Sequence, residues 1–257
     1  MQSVVRSLQI LEAVAQHQPI RVGELVPIVK LPKSTVQRSL GTLAEAGWIE
    51  PIDGDLTRWA MSPRALSILQ RTSLADVNLR DSAHIPMQEL CTATGETVHL
   101  IVSNGAAHCV VLDRAESPRS IRTVIPLGSI LLAASSACGL AMLAAGPDSL
   151  IMDAVDVARH SIGESMDIPT AEQLDAVPEI IAATRANGYS RKLGWDGDVV
   201  AIGAVIRDHG GRVVGGLSIS ILISRFDRRP ESEWAAEVVM CASRISATLG
   251  YQPGSSG

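Results

Sequence analysis

Aromatic residues make up only 3% of this 257-residue chain, and Phe226 is its single phenylalanine. Any core must therefore be aliphatic, built from Leu, Ile, Val and Ala. Hydrophobic residues still reach 46%, ample for a packed interior, which argues against wholesale disorder. No apolar run reaches membrane-spanning length without a charge or a turn signal. No basic-then-apolar leader precedes a cleavage site, so a soluble, cytoplasmic protein with no membrane partner is expected. The four cysteines, Cys91, Cys109, Cys138 and Cys241, lie far apart and form no CxxC, and no histidine pair has metal spacing. That pattern argues against a zinc site and against a secreted disulfide scaffold. At least three of the thiols are expected to act as small buried hydrophobes, with no metal and no cofactor. A nucleophile elbow, a Walker loop, HExxH and a dinucleotide fingerprint are all missing too, so an enzyme is not the expected class.

Positive charge is scarce overall, with a formal net charge of −5. Its distribution is more informative than its sum. Residues 1–64 hold seven basic and six acidic side chains, and the rest holds 15 basic and 21 acidic. Between Lys30 and Arg38 there are three cations and no acid. This is a local basic patch on an acidic protein, as in a regulator whose second domain stays off nucleic acid.

The patch falls in the stretch that organises the chain, Leu31–Trp48, LPKSTVQRSLGTLAEAGW. Val36, Leu40, Leu43 and Ala44 share one helical face. Ser34, Gln37, Arg38 and Gly41 share another, with hydrogen-bond formers, a cation and no acid. Pro32 suits a helix start and Gly47 a left-handed stop. The spacing predicts a helix over 32–46 shaped for a DNA major groove. A helix from Ser3 to Gln16, capped by Ser3 and burying Val4, Leu8, Leu11 and Ala15, is expected before it. A second helix, Val22–Val29, should be short, kinked or partly 3₁₀ because it contains Pro27. A hairpin follows, Trp48–Glu50 and Arg58–Ala60 around Asp53-Gly54-Asp55. Arg58 on this wing is either a phosphate contact or a solvated surface arginine.

Further on, Arg64–Leu69 and Leu74–Ala93 read as helices, and the region between Ser62 and Asp81 as a helical connector. Strands are expected at TVHLIVSN, AHCVVLDRA and IRTVIPLG, then a small-residue helix from Ser135 to Ala145. A helix from Thr170 to Asn187 is closed by Gly188. Strands at Tyr189–Leu193, Val199–Asp208 and Arg212–Ile221 follow, the last two joined at His209-Gly210-Gly211. Glu231–Leu249 is a final helix with Trp234, Val238, Cys241 and Ile245 on one face. The expected fold class is α+β. The expected domains are a winged helix-turn-helix (1–62), a helical connector (63–81), an effector-binding and oligomerisation domain (82–250) and a disordered tail (251–257).

In order and spacing, RSLQILEAV, LPKSTVQRSLGTLAEAGWIE, TGETVHLIV, PLGSILLAASSACGLAML, ANGYS and AIGAVIRDHGGRVVGGLSIS resemble the IclR-type bacterial transcriptional regulators. The resemblance implies a winged helix-turn-helix joined to a GAF-like effector-binding domain. It implies dimers or dimers of dimers on pseudo-palindromic double-stranded operator DNA, tuned by a small-molecule effector, frequently an organic or aromatic acid. Lys33, Ser34, Thr35, Gln37 and Arg38 match the positions that contact DNA. Ser136, Ala137, Cys138, Ser218 and Ser220 match pocket positions, and Asp196 or Asp198 an acidic pocket residue. The chain departs from the family at Lys30, where a glycine is usual. It also departs at Ala134 and Leu140, where His and Lys are frequent. If those two positions face the effector, a larger or more apolar ligand follows.

The residues themselves leave alternatives open. Alternation places Ser218 and Ser220 on one strand face, where their hydroxyls meet either a ligand or the main chain. Cys138 near a helix start is either a low-pKa redox thiol or a buried structural one. The rival to a regulator is an enzyme or redox sensor built on the second domain.

Overall fold

A computed structural model describes residues 2–52, 55–65, 74–161, 169–194 and 197–252. The chain divides into two compact units, Met1–Leu74 and Ala75–Gly257. The first contains α1 (Gln2–His17), β1 (Ile20–Arg21), α2 (Val22–Val29), α3 (Lys33–Glu45), β2 (Ile49–Ile52) and β3 (Asp55–Met61). Ile10, Val14, Leu25, Val36, Leu40 and Ile49 form its core.

The three helices are where the pattern puts them, but α1 turns a different face inward. Ile10, Ala13 and Val14 are buried, whereas Val4, Val5 and Leu8 are 63%, 54% and 51% exposed. The inward stripe begins with Ser7, whose hydroxyl donates to that of Ser39 at 3.3 Å. A polar first position hides this stripe behind the cleaner apolar repeat beside it. Ser3 lies inside α1 and does not cap it. α2 is short, as expected, and is α-helical throughout, with no 3₁₀ turn at Pro27. Lys30 closes α2 in the left-handed region, φ 52° and ψ 38°, where glycine would be usual. α3 ends in a Schellman motif: the N–H of Trp48 donates to Leu43 O and that of Gly47 to Ala44 O, with Gly47 at φ +77°.

The wing strands pair antiparallel, and a third strand that the pattern does not reveal joins them. β1 lies against β3, with Ile20 opposite Trp59 and Arg21 opposite Arg58. Most of the wing turn, Asp53-Gly54, lies outside the described residues, as does most of the expected 64–69 helix, of which 63–65 are helical.

The second unit holds a six-stranded antiparallel sheet in the order β6-β5-β4-β9-β8-β7. Its strands are β4 (Thr97–Asn104), β5 (His108–Ala115), β6 (Ile130–Leu132), β7 (Ser190–Leu193), β8 (Val199–Arg207) and β9 (Val213–Leu222). One sheet face, with Val98, Leu100, Ile202, Leu217 and Ile219, packs on α4 (Leu74–Thr94) and the last long helix (Glu231–Thr248). Trp234, Val238, Cys241 and Ile245 are buried there as expected. The opposite face is covered by a 3₁₀ turn (Ala133–Ser135), α5 (Ala137–Ala144), α6 (Asp148–His160), α7 (Ala171–Asp175) and α8 (Val177–Asn187). The two helices after β9 are the short α9 (Ile223–Phe226) and α10, the Glu231–Thr248 helix.

Three expectations need correction. IRTVIPLG is not a strand; residues 121–128 have no ladder partner and β6 begins only at Ile130. Pro126 has no N–H to give, and the N–H of Ile125 goes to a side chain. The 135–145 helix is a 3₁₀ turn followed by α5, divided at Ser136, whose extended backbone (φ −118°) and hydroxyl cap α5 at Gly139 N. The 170–187 helix is also two, α7 and α8, because Pro178 cannot donate the bond that would continue α7. Thr170 and Gln173 form a reciprocal capping box at its start. The tail 253–257 lies outside the described residues.

Candidate nucleic-acid interface and ligand cavity

On the first unit, α3 separates its two faces as the spacing predicts. Val36, Leu40 and Leu43 are buried, while Lys33, Ser34, Gln37 and Arg38 are exposed and Thr35 is half-buried. Burial of the first set fixes the helix against α1 and α2 and leaves its polar edge outward. Arg58 is exposed on β3, and its cross-strand partner Arg21 is exposed on β1. Directly opposite residues share a face, with Cβ atoms about 5 Å apart. Neither guanidinium has a carboxylate partner among the described residues; Glu24 instead accepts from the backbone N–H of Arg21 at 2.8 Å. Two like charges held side by side favour an anion between them. Arg21 is the residue that sequence reading misses, because a two-residue strand gives no periodic signal.

The second unit contains a cavity of about 270 Å³ on the face of the sheet that carries the 3₁₀ turn and α5. The register brings its floor together: Ser218 and Ser220 stand opposite His99 and Thr97 of β4, and opposite Gly203 and Ala201 of β8. Ser136 and Ala137 at the start of α5 also line it, with Ser135, Thr123 and Lys192. Ile101, Val124, Ile125, Leu131 and Val199 supply apolar walls. α5 approaches the sheet closely because Gly203 carries no side chain; a Cβ there would sit 2.8 Å from the Ala137 carbonyl carbon. Ser190 of β7 holds the same turn by donating to Ala137 O at 2.6 Å.

Of the expected pocket residues, Ser136, Ala137, Ser218 and Ser220 thus meet at one cavity. Cys138 does not line it. It is completely buried behind the wall and shares a hydrogen bond with Ser218. Burial pushes its thiol up to about 12, so the helix start does not make a reactive thiolate here. Cys109, pushed up to about 12 by burial, stands likewise against Ser136. Asp196 lies outside the described residues, and Asp198 is exposed and absent from the lining. Where an acidic residue is implied, the cavity presents Lys192. Ala134 and Leu140 are core residues, 5% and 0% exposed, and do not line the cavity. These two side chains therefore do not enlarge the cavity or make its lining more apolar. The hydroxyl of Ser220 makes no hydrogen bond among the described residues.

His99 is a further group that the pattern does not single out. Its ring is fully buried, and Nε2 accepts from Ile125 N–H at 3.1 Å. Burial, then the neighbouring Arg114 charge, lowers its pKa to about 4. The neutral tautomer therefore carries its proton on Nδ1, which has no partner among the described residues.

A helix-turn-helix and a separate sensor-sized α/β unit in one chain narrow the choice, and comparison decides it. Residues 3–53 match the IclR helix-turn-helix domain, and residues 71–247 match the bacterial transcriptional regulator IclR C-terminal family. The chain belongs to the IclR family of bacterial transcriptional regulators. Within this IclR family it is similar to the transcriptional repressor IclR of Escherichia coli, 28% identical over 97% of this chain and 90% of the relative. It is also similar to the regulator KdgR of the same organism, at 27% identity over 97% and 93%. Among solved IclR structures, a homologue from Microbacterium hydrocarbonoxydans complexed with 4-hydroxybenzoate aligns with a TM-score of 0.76. It is 20% identical, with 96% of this chain and 98% of that one covered. The Thermotoga maritima IclR aligns with a TM-score of 0.68 at 24% identity over 98% and 100%. No helix among the described residues is long and apolar enough to cross a membrane.

Proposed function

We propose that this chain is a cytoplasmic, sequence-specific DNA-binding regulator whose operator affinity is set by a small organic acid bound in the second unit. The observation that carries the reading is the cavity itself. Ser135, Ser136, Ser218, Ser220, Thr123 and Lys192 line one otherwise aliphatic cavity, which suits a carboxylate with a compact apolar body. The 4-hydroxybenzoate complex of a family member supports the same ligand class. On the first unit, Lys33, Arg38, Arg58 and Arg21 supply phosphate or guanine contacts, and Ser34, Thr35 and Gln37 supply hydrogen bonds to bases or phosphates. A homodimer, or a dimer of dimers, reads half-sites about one helical turn apart or a multiple of that. The exposed apolar row Val4, Val5 and Leu8 on α1 supports association of two copies. Ligand acts by binding one arrangement of the two reading heads better than another.

The test begins with selection of operator sequences from random duplexes. Affinity for the selected DNA is then measured with and without a panel of aromatic and short-chain acids, including 4-hydroxybenzoate. At least one acid is expected to shift the DNA affinity and to raise the melting temperature. An inert panel removes the acid from the reading. Arg38→Ala is expected to relax one base position, at a cost of about 1–3 kcal/mol, or to weaken all sites and flatten the salt dependence by about one charge. Unchanged affinity and footprint would take Arg38 out of the interface.

A further inference from the structure

Gly95 and Glu96, just before β4, belong to neither surface described above, yet Glu96 is the most deeply buried carboxylate among the described residues. Glu96 is 0% exposed and pairs two-pronged with Arg225 of α9, Oε1 to Nε and Oε2 to Nη2, both 2.5 Å. Burying two charges is costly, and a hydrophobic pair would usually serve stability as well. The pair is therefore better understood through what it holds in place.

What it holds is the segment 116–125 between β5 and β6. Among the described residues this segment makes no backbone–backbone hydrogen bond. It is fastened by side chains instead. Arg225 donates Nη1 to the Ile121 carbonyl at 3.4 Å. Arg119 donates Nε to Gly95 O at 2.9 Å and lies 3.9 Å from Glu96. Ser117 donates Oγ to the same Gly95 carbonyl at 2.6 Å. Gly95, at φ +71°, leaves room for that docking, since a Cβ would stand 2.6 Å from the Arg119 guanidinium. At the far end, His99 takes the Ile125 N–H, and Arg114 donates Nη1 to the Ile125 carbonyl at 3.2 Å. Between these anchors lie Thr123, Val124 and Ile125, one wall of the cavity.

We propose that Glu96 and Arg225 are positioning residues for the ligand cavity, fixing the 116–125 strap so that Thr123–Ile125 are held as its wall. The pair touches no ligand and sets affinity through the strap. This rests on reading the cavity as a ligand site. The test compares the full-length wild-type protein with two variants. Arg225→Lys keeps the charge facing Glu96 but loses the fork that also reaches Ile121. The double variant Glu96→Gln/Arg225→Gln removes both charges together, so that neither is left buried alone.

Hydrogen exchange is followed without ligand, and 4-hydroxybenzoate binding is measured separately. Exchange across 117–125 is expected to speed up in both variants, while β8 and β9 keep wild-type rates. Binding of 4-hydroxybenzoate is expected to weaken about tenfold, a size typical of coupling through packed neighbours, with DNA affinity in its absence retained. A strap that exchanges at the wild-type rate overturns the proposal. So does acceleration spread evenly over β8 and β9, which would make the pair a stability element alone, and so does a loosened strap with undiminished binding. Failure of wild-type protein to bind the acid counts against the ligand reading instead, and the exchange result stands apart from it.

Discussion

His99 shows how much one side chain can impose. As a neutral ring it accepts the Ile125 N–H; as a cation it has no lone pair at Nε2 to do so. Its folded pKa of about 4 lies below the ordinary 6.5, so between those values the unfolded chain binds the proton more readily. The contribution of His99 is therefore complete above pH 6.5 and is lost as pH falls towards 4. It amounts to roughly 3 kcal/mol over that window. Replacing His99 with Gln, which keeps an acceptor but does not titrate, is expected to flatten the fall in melting temperature across that range. An acid limb as steep as in the wild type would show that other groups carry it. The same residue explains a sequence misreading. IRTVIPLG has the composition of a strand, but at Ile121 and Ile125 its backbone partners are the side chains of Arg225, His99 and Arg114. No local pattern announces a hydrogen bond made to a residue far away in the chain.

Among elements, the turn between α2 and α3 carries an unusual strain. Lys30 occupies a left-handed conformation that costs an L-residue about 1–2 kcal/mol. Glycine escapes that cost but loses about 0.5–1 kcal/mol through its freer unfolded chain. Lys30→Gly is therefore expected to raise stability by about 0.5 kcal/mol, measurable as a higher melting temperature. A lower one would mean that the lysine side chain compensates in place. Elements whose two faces differ in chemistry were legible. α3 announced its buried and polar sides, α10 its apolar row, and alternation put Ser218 and Ser220 together. Elements with two plausible faces were not. α1 bears apolar residues on both, and only the contact with Ser39 and the core chooses between them. The cavity charge was missed for a related reason. Lys192 sits in a short strand beside Arg191, and nothing in that pair says which side chain turns towards the cavity.

Across the whole molecule, charge and chemistry are divided between the units. The first carries its cations on α3 and the wing, and the second carries the cavity and the excess of acid. A ligand held in the cavity at roughly a hundredfold excess over its Kd should stabilise the second unit by about 2.7 kcal/mol. All four cysteines belong to that second unit, and all four are buried. Their spacing in the sequence speaks only against a zinc site and a secreted disulfide scaffold. Their burial also makes the thiols four internal clocks. A maleimide cannot reach them until the unit opens, and the first unit, which holds no cysteine, contributes no background. Labelling rate therefore times the opening of the second unit alone, and an acid that fills the cavity should slow it in proportion to occupancy. Labelling equally fast with and without such an acid would place its binding elsewhere on the chain.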